Sequence, residues 1–192
     1  YLSSNLIVDR LDLKKIFQDN SSIFINLLNS GIFNNQSLNA EFKINSKDVK
    51  GINYLKNLSL KTYLEEGNIL IKDSSLDWNN SVIIGFDNIQ LINEKNELKI
   101  FGEISFNFKD INKFYSYYQI SRQFRKNLAN IKLDFNFNLN QKKISLDNLQ
   151  IDSKTNKKVN EYLNNFNSLN KNIFNKVTFR NFIKDIFKNY DG

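Results

Sequence analysis

The side chains able to carry catalysis are few in this chain. It has 192 residues and neither histidine nor cysteine, so no Ser-His-Asp or Cys-His nucleophile, His-ligated zinc site, disulfide or thiolate metal site can be built. Paired carboxylates could in principle do general acid–base work, and Glu65-Glu66 and Asp73 with Asp77 are the close acidic groups in a strand-rich context. Such chemistry needs one carboxyl desolvated. Each of these flanks Gly, Ser or Asn, where solvated turn carboxylates are ordinary, so turn chemistry is the expected role. The six glycines, at positions 31, 51, 67, 85, 102 and 192, form neither a phosphate-binding loop nor a dinucleotide fingerprint. No enzyme activity and no cofactor is expected. Asn57-Leu58-Ser59 has the glycosylation spacing, but in a chain this rich in Asn such triplets arise by chance.

The elements themselves are legible as alternation. From Leu98 to Phe108, the residues Leu98, Ile100, Ile104, Phe106 and Phe108 share one face with Gly102, opposite Lys99, Glu103, Ser105 and Asn107, with Phe101 the exception. Ile131, Leu133, Phe135, Phe137 and Leu139 repeat the pattern against Lys132, Asp134, Asn136 and Asn138. Weaker versions run through Leu38, Ala40, Phe42 and Ile44 and through Leu58, Leu60, Thr62 and Leu64. Period two marks strands with one buried face. The stretch from residue 37 to 152 therefore predicts a meander, with turns at Glu66-Gly67-Asn68, Asn79-Asn80, Asn93 to Asn96 and Asn140 to Lys142, where Asn and Gly tolerate positive φ. In Ile144, Leu146, Leu149 and Ile151 the alternation slips at Asp147-Asn148, the signature of a β-bulge. The single tryptophan, Trp78, is expected to pack in the core or across strands.

Two stretches switch to helical period. Asp110 predicts the cap of a helix through Ile111, Phe114, Tyr115 and Tyr118, continuing less regularly past Phe124 to Leu128. Val159, Tyr162, Leu163, Phe166 and Leu169 form one C-terminal stripe. Thr178 then predicts the cap of another, carrying Phe179, Phe182, Ile183, Ile186, Phe187 and Tyr190, with Arg180, Lys184 and Lys188 on its flank. Near the N-terminus, Leu6 to Leu13 reads as a strand, and Ile23 to Leu28 as strand or helix. The expected fold is mainly β with a few helices: a curved antiparallel meander over residues 1–152 with an inserted helix near 110–129, a partly open apolar groove, and helices over 153–192 packing on or capping the sheet.

Composition bounds the rest. Asn, Lys, Ile and Phe are abundant, as AT-rich codon usage would produce. The net charge of +7 and pI near 9.4 raise nucleic acid or anionic lipid as partners. The lysines are scattered singly rather than clustered into a phosphate-tracking patch, so nucleic acid is not expected. No short fixed repeat supports a β-solenoid. No apolar run approaches the ~20 residues that span a bilayer. The chain begins at Tyr1 in strand-like sequence, which is expected of a segment of something longer.

The run Asn68-Ile69-Leu70-Ile71-Lys72-Asp73-Ser74-Ser75-Leu76-Asp77-Trp78, followed by Leu98-Lys99-Ile100-Phe101-Gly102-Glu103-Ile104-Ser105-Phe106, a helix and the strand from Ile131, resembles the C-terminal region of AsmA-like proteins. These are large bacterial envelope proteins of the bridge-like lipid-transfer group. The resemblance covers roughly half the chain, Leu58 to Asp152, and carries no catalytic residues. It implies an upstream inner-membrane anchor, a periplasmic location, a role in outer-membrane biogenesis, and a curved sheet whose apolar face shields phospholipid acyl chains. The residues themselves agree on one point: the strands present more apolar area than about three helices can cover, leaving either a second sheet or a groove. The groove candidates are Ile100, Ile104, Phe106, Phe108, Leu133, Phe135, Phe137 and Leu139. The alternative is a structural or assembly module with a closed core, whose C-terminal helix docks a partner or membrane through Phe179, Arg180, Phe182, Lys184, Ile186 and Phe187.

Overall fold

A computed structural model of the chain describes residues 2–12, 37–50, 52–94, 97–169 and 173–192. The strands are β1 (Leu2–Leu11), β2 (Ala40–Val49), β3 (Leu55–Glu65), β4 (Asn68–Ile71), β5 (Ser74–Trp78), β6 (Val82–Glu94), β7 (Glu97–Phe108), β8 (Asn130–Asn138), β9 (Lys143–Ile151) and β10 (Lys154–Thr155). The helices are α1 (Ile111–Tyr118), α2 (Lys157–Ser168) and α3 (Lys176–Asn189), with a short 3-10 turn at Arg122–Phe124. All ten strands join one sheet in chain order, β4 and β5 lying end to end between β3 and β6. The fold is mainly β, antiparallel-dominated and helical at its C-terminus. Among the described residues there is one sheet, not a sandwich of two.

The departure from the expected meander is β1, which runs parallel to β2. A parallel neighbour requires a crossover of a dozen or more residues, and residues 12–39 separate the two strands. Ile23 to Leu28, read from sequence as strand or helix, lies outside the described residues, and the turn at Asn93 to Asn96 does so in part.

The hairpins form where side chains accept positive φ. Glu66 (φ 50°) and Gly67 (φ 80°) join β3 to β4, while Asn79 (54°) and Asn80 (53°) join β5 to β6. Two consecutive left-handed residues have the twist that two-residue hairpins need. Asp152 (49°) and Ser153 (62°) form a third such turn, into β10, which the sequence pattern does not signal.

Three interruptions fall close to one line across the sheet. Lys72-Asp73 separates β4 from β5, with Asp73 at φ 45°. Asn88 (φ 52°) and Ile89 together oppose Gly102, because the β6–β7 register shifts between Asp87 and Gln90. Asn148 (φ 52°) marks the expected bulge on β9, where the β8–β9 register shifts between Lys132 and Asp134. Bulges bend strands and increase twist, so this line divides the sheet into two halves. Gly102 is the hinge point: a Cβ there would come within 2.6 Å of the Ile89 Cα.

The half carrying β5, the start of β6, the end of β7 and the start of β8, together with β9 from Leu146 onward, is covered by the helices. Trp78, Val82, Ile131, Leu133, Leu146, Leu149 and Ile151 form one buried cluster with Phe114 and Tyr115 of α1, Val159, Leu163 and Phe166 of α2, and Phe182, Ile183, Ile186 and Phe187 of α3. Asp110 caps α1, its carboxylate accepting from the Asn112 and Lys113 amides at 3.1 and 3.4 Å. The helix does not continue to Leu128. Gln119 turns left-handed (φ 56°) and the chain folds back, because Ile120 and Leu128 are drawn into the core from a loop. The Tyr115 hydroxyl ties that loop down, donating to the Lys126 carbonyl (2.6 Å) and accepting from its amide (3.1 Å). Nor does Thr178 cap α3: the Asn175 side chain accepts from the Val177 and Thr178 amides at 2.9 and 3.2 Å, placing Thr178 in the first turn.

Helix α2 also seals an edge. Two residues seven apart, on one helix face, use their side-chain amides as a substitute strand beside β9. Asn160 accepts from the Leu149 amide (3.0 Å) and donates to the Leu149 carbonyl (2.8 Å). Asn167 does the same at Leu146, at 3.1 and 2.9 Å. An open edge invites pairing with another chain. Removing either amide, as in Asn160→Ala or Asn167→Ala, is expected to cost about 1–2 kcal/mol by leaving a part-buried N–H and C=O unpaired. The double variant should also self-associate through β9. Urea midpoints and sedimentation velocity check both effects; an unshifted midpoint with unchanged association would refute this role. Gly102→Ala is expected to lose about 1–3 kcal/mol by overpacking against backbone. Gly85→Ala should lose less, since its new Cβ meets only the rotatable Ser105 hydroxyl at 2.5 Å. Equal losses in the two variants would reject that assignment.

Candidate functional site

The carboxylates have structural partners. Asp77 is buried and accepts from the Asn80 amide at 2.7 Å, closing the β5–β6 turn, with the Lys109 ammonium 3.6 Å away. Asp73 is exposed at its left-handed corner, 4.0 Å from Lys61. Glu65 pairs with Lys72 at 3.3 Å, and Glu66 holds the left-handed hairpin position. On the polar face, Glu103 pairs with Lys132 at 2.6 Å, and Asp134 accepts from the Asn148 side chain at 2.7 Å. Phe101, the exception to the alternation, is half-buried on that face in a shallow depression with Glu103, Asn136 and Asn148.

The other face is apolar across the sheet, as the register requires. Ile100 faces Phe137, Ile104 faces Leu133 and Phe106 faces Ile131 between β7 and β8. Leu91 faces Ile100 and Phe86 faces Ile104 between β6 and β7. Ile69 and Ile71 continue the row on β4, opposite Leu91 and Ile89, and Thr62 and Leu64 continue it on β3. Strict alternation puts all of these on one side.

Packing against the helices sorts the eight groove candidates into two groups. Leu133 is buried, and Phe106, Phe108 and Phe135 are half-buried, all packed in the cluster that the helices cover. Ile100, Ile104, Phe137 and Leu139 are half-buried and stand outside that cluster. Leu139 lies just past β8, its amide donating to the Leu98 carbonyl at 2.9 Å. Around the second group, Leu60, Ile69, Ile71, Phe86 and Leu91 are also half-buried, whereas Leu64, Ile89 and Leu98 are sealed. Sequence alone could not separate the groups, because both obey the same alternation.

The C-terminal candidates divide as well. Phe182, Ile186 and Phe187 are buried, with Phe182 4.7 Å from Phe166 and Phe187 5.0 Å from Tyr115, ring centre to ring centre. Phe179 packs on Tyr118 at 5.9 Å. The apolar face of α3 is therefore an internal cap on the sheet and not a free docking face. Arg180 and Lys184 stay at the surface flank, half-buried. No described helix is long and apolar enough to cross a membrane.

Sequence reasoning missed the density of the aromatic wall at the capped end. The Trp78 ring has Phe114 at 5.7 Å, Tyr117 at 5.0 Å and Tyr118 stacked at 6.2 Å, with Tyr54 at its edge. Burial pushes the Tyr118 phenol well above its usual range, reinforced by Tyr117 and Tyr54 and opposed by Arg180. Burial raises Tyr162 similarly, with Asp185 beside it adding to the shift. No known protein family, curated protein or solved structure matches this chain.

Both phenols are harder to ionise when folded than when unfolded. Their contribution to stability is thus fully present below about pH 10, the unfolded value, and is lost as pH rises above it. Urea unfolding between pH 8 and 11 is expected to show this loss, beginning near pH 10, and Tyr118→Phe with Tyr162→Phe should flatten it. An equally steep alkaline decline in that double variant would refute the assignment.

Proposed function

We propose that the half-buried part of the sheet's apolar face, centred on Ile100, Ile104 and Phe137, is a cradle for lipid acyl chains, and that α1–α3 form its closed end. The observation that carries this reading is the division of one continuous apolar face into residues packed in the helices' cluster and half-buried residues outside it. Acyl chains need no polar recognition. They need contiguous apolar area, worth about 25 cal/mol per Å², so covering ~200 Å² would contribute about 5 kcal/mol. The polar face, with its cross-strand ion pairs, would remain in water.

On this reading the chain is a non-enzymatic lipid-handling segment. A periplasmic setting, an inner-membrane anchor elsewhere in the protein and a part in outer-membrane biogenesis rest on the resemblance of the Asn68–Trp78 and Leu98–Phe106 runs to AsmA-like proteins, and are proposed with it. A second reading, a structural module with a closed core, is favoured by the sealing of Leu64, Ile89 and Leu98 on the same face.

Photocrosslinking separates the two. A benzophenone side chain placed at Ile104 or Phe137 in the intact chain, in the presence of phospholipid, is expected to capture lipid. The same probe at Ser105 or Lys132, on the opposite face, should capture at least about tenfold less, since alternate residues point apart. Equal capture on both faces, or none at Ile104 and Phe137 in folded protein, would overturn the cradle; the latter supports the closed core.

A further inference from the structure

The outward side of α3 carries charge that the fold leaves unanswered. Arg180, Lys184 and Lys188 recur at every fourth position, and none lies within ion-pair distance of a described carboxylate. The one acidic residue of the helix, Asp185, is turned toward α2, where it accepts from the Tyr162 hydroxyl at 3.5 Å. At about 100° per residue, Lys184 and Lys188 lie within roughly 20° of Val177, on the line opposite the buried Phe182, Ile183, Ile186 and Phe187. Arg180 flanks that line.

The same corner of the molecule exposes apolar side chains. Leu169, which ends α2, is 60% exposed; Phe174 before α3 is 62%, with its ring 5.2 Å from that of Phe137 on β8; and Val177 in the first turn of α3 is 67%. Isolated exposed apolar residues are ordinary, but three around one helix–helix corner, continuing into a row of cations, are not. Cations lie in the headgroup region of an anionic bilayer while short apolar side chains reach the acyl boundary just beneath it. A nucleic acid would use the cations but gain nothing from Leu169, Phe174 and Val177.

We propose that this corner is a docking surface for an anionic lipid bilayer, with Leu169, Phe174 and Val177 inserting and Arg180, Lys184 and Lys188 engaging headgroups. The contact is made by the outer side of α3 while its inner side remains the cap, so the helix need not leave the core. It does not depend on lipid occupying the sheet face.

The test is flotation of the full chain with phosphatidylglycerol-containing vesicles, against pure phosphatidylcholine vesicles, with thermal melts confirming that each variant is folded. Binding to the anionic vesicles alone is expected. It should weaken about thirtyfold in Lys184→Gln/Lys188→Gln, at roughly fivefold per cation, and by a similar factor in Leu169→Ser/Val177→Ser. It should also fall as salt rises from about 0.1 to about 1 M. No flotation, equal binding to neutral vesicles, or insensitivity to the lysine pair would overturn the proposal. Insensitivity to the apolar pair, together with equal affinity for single-stranded DNA, would overturn it in favour of a polyanion site.

Discussion

A sheet with strict side-chain alternation must hide one entire face, and the arrangement of this protein follows from that requirement. Among the described residues, ten strands present an apolar surface wider than three helices of 8, 12 and 14 residues can cover. The helices are concentrated on one half, where Trp78, Phe114, Phe182 and Phe187 supply large rings, and the cluster they make reaches past the line of bulges at Leu146, with Phe135 and Ile144 packed against it. Aromatic contacts at 4.7–6.2 Å run from Trp78 through α1 to α3 and α2, within the range at which ring pairs add to plain area burial. The C-terminal helices thus share one core with the sheet.

Asparagine does much of the local work. The chain has no proline and six glycines, and Asn is the commonest residue at the described left-handed positions: 57, 79, 80, 88 and 148. Asn tolerates that region better than other side chains with a Cβ. Asn156 and Asn175 cap α2 and α3, and Asn140 accepts the Leu98 amide at 2.7 Å. Asn160 and Asn167 stand in for a missing strand. A residue bias that codon usage suffices to produce is nevertheless placed where its chemistry matters. Composition read as a total hides this, whereas position reveals it.

That contrast explains how far the sequence was legible. The strands of residues 37–152, the Asp110 cap, the Asp147-Asn148 bulge and the turns at Glu66-Gly67 and Asn79-Asn80 depend on neighbours in sequence, and they can be read there. The parallel pairing of β1, the bulge at Asn88, the left-handed exit of α1 at Gln119 and the use of Asn175 over Thr178 as a cap depend on tertiary packing. Thr178 is an acceptable cap by type, but capping there would leave Val177 outside the helix and forgo the two amides that Asn175 satisfies. The site was half legible for a related reason. Alternation says which face Ile100 and Phe106 occupy, but only the helices decide that Phe106 is in the covered cluster and Ile100 is outside it.

Packing density also differs along the apolar face. Residues such as Leu133, Leu149 and Phe187 are packed on every side, and truncating one leaves a cavity that its neighbours cannot close. Ile100, Ile104 and Phe137 are half-buried and outside that cluster, so part of their apolar area can be covered and uncovered without opening the core. Local stability is rarely uniform, and binding regions are drawn from its lower end. A fold that concentrates its helices over one half of a continuous apolar face obtains a rigid cap there, and the same strands extend across the bulges into a half-buried apolar surface.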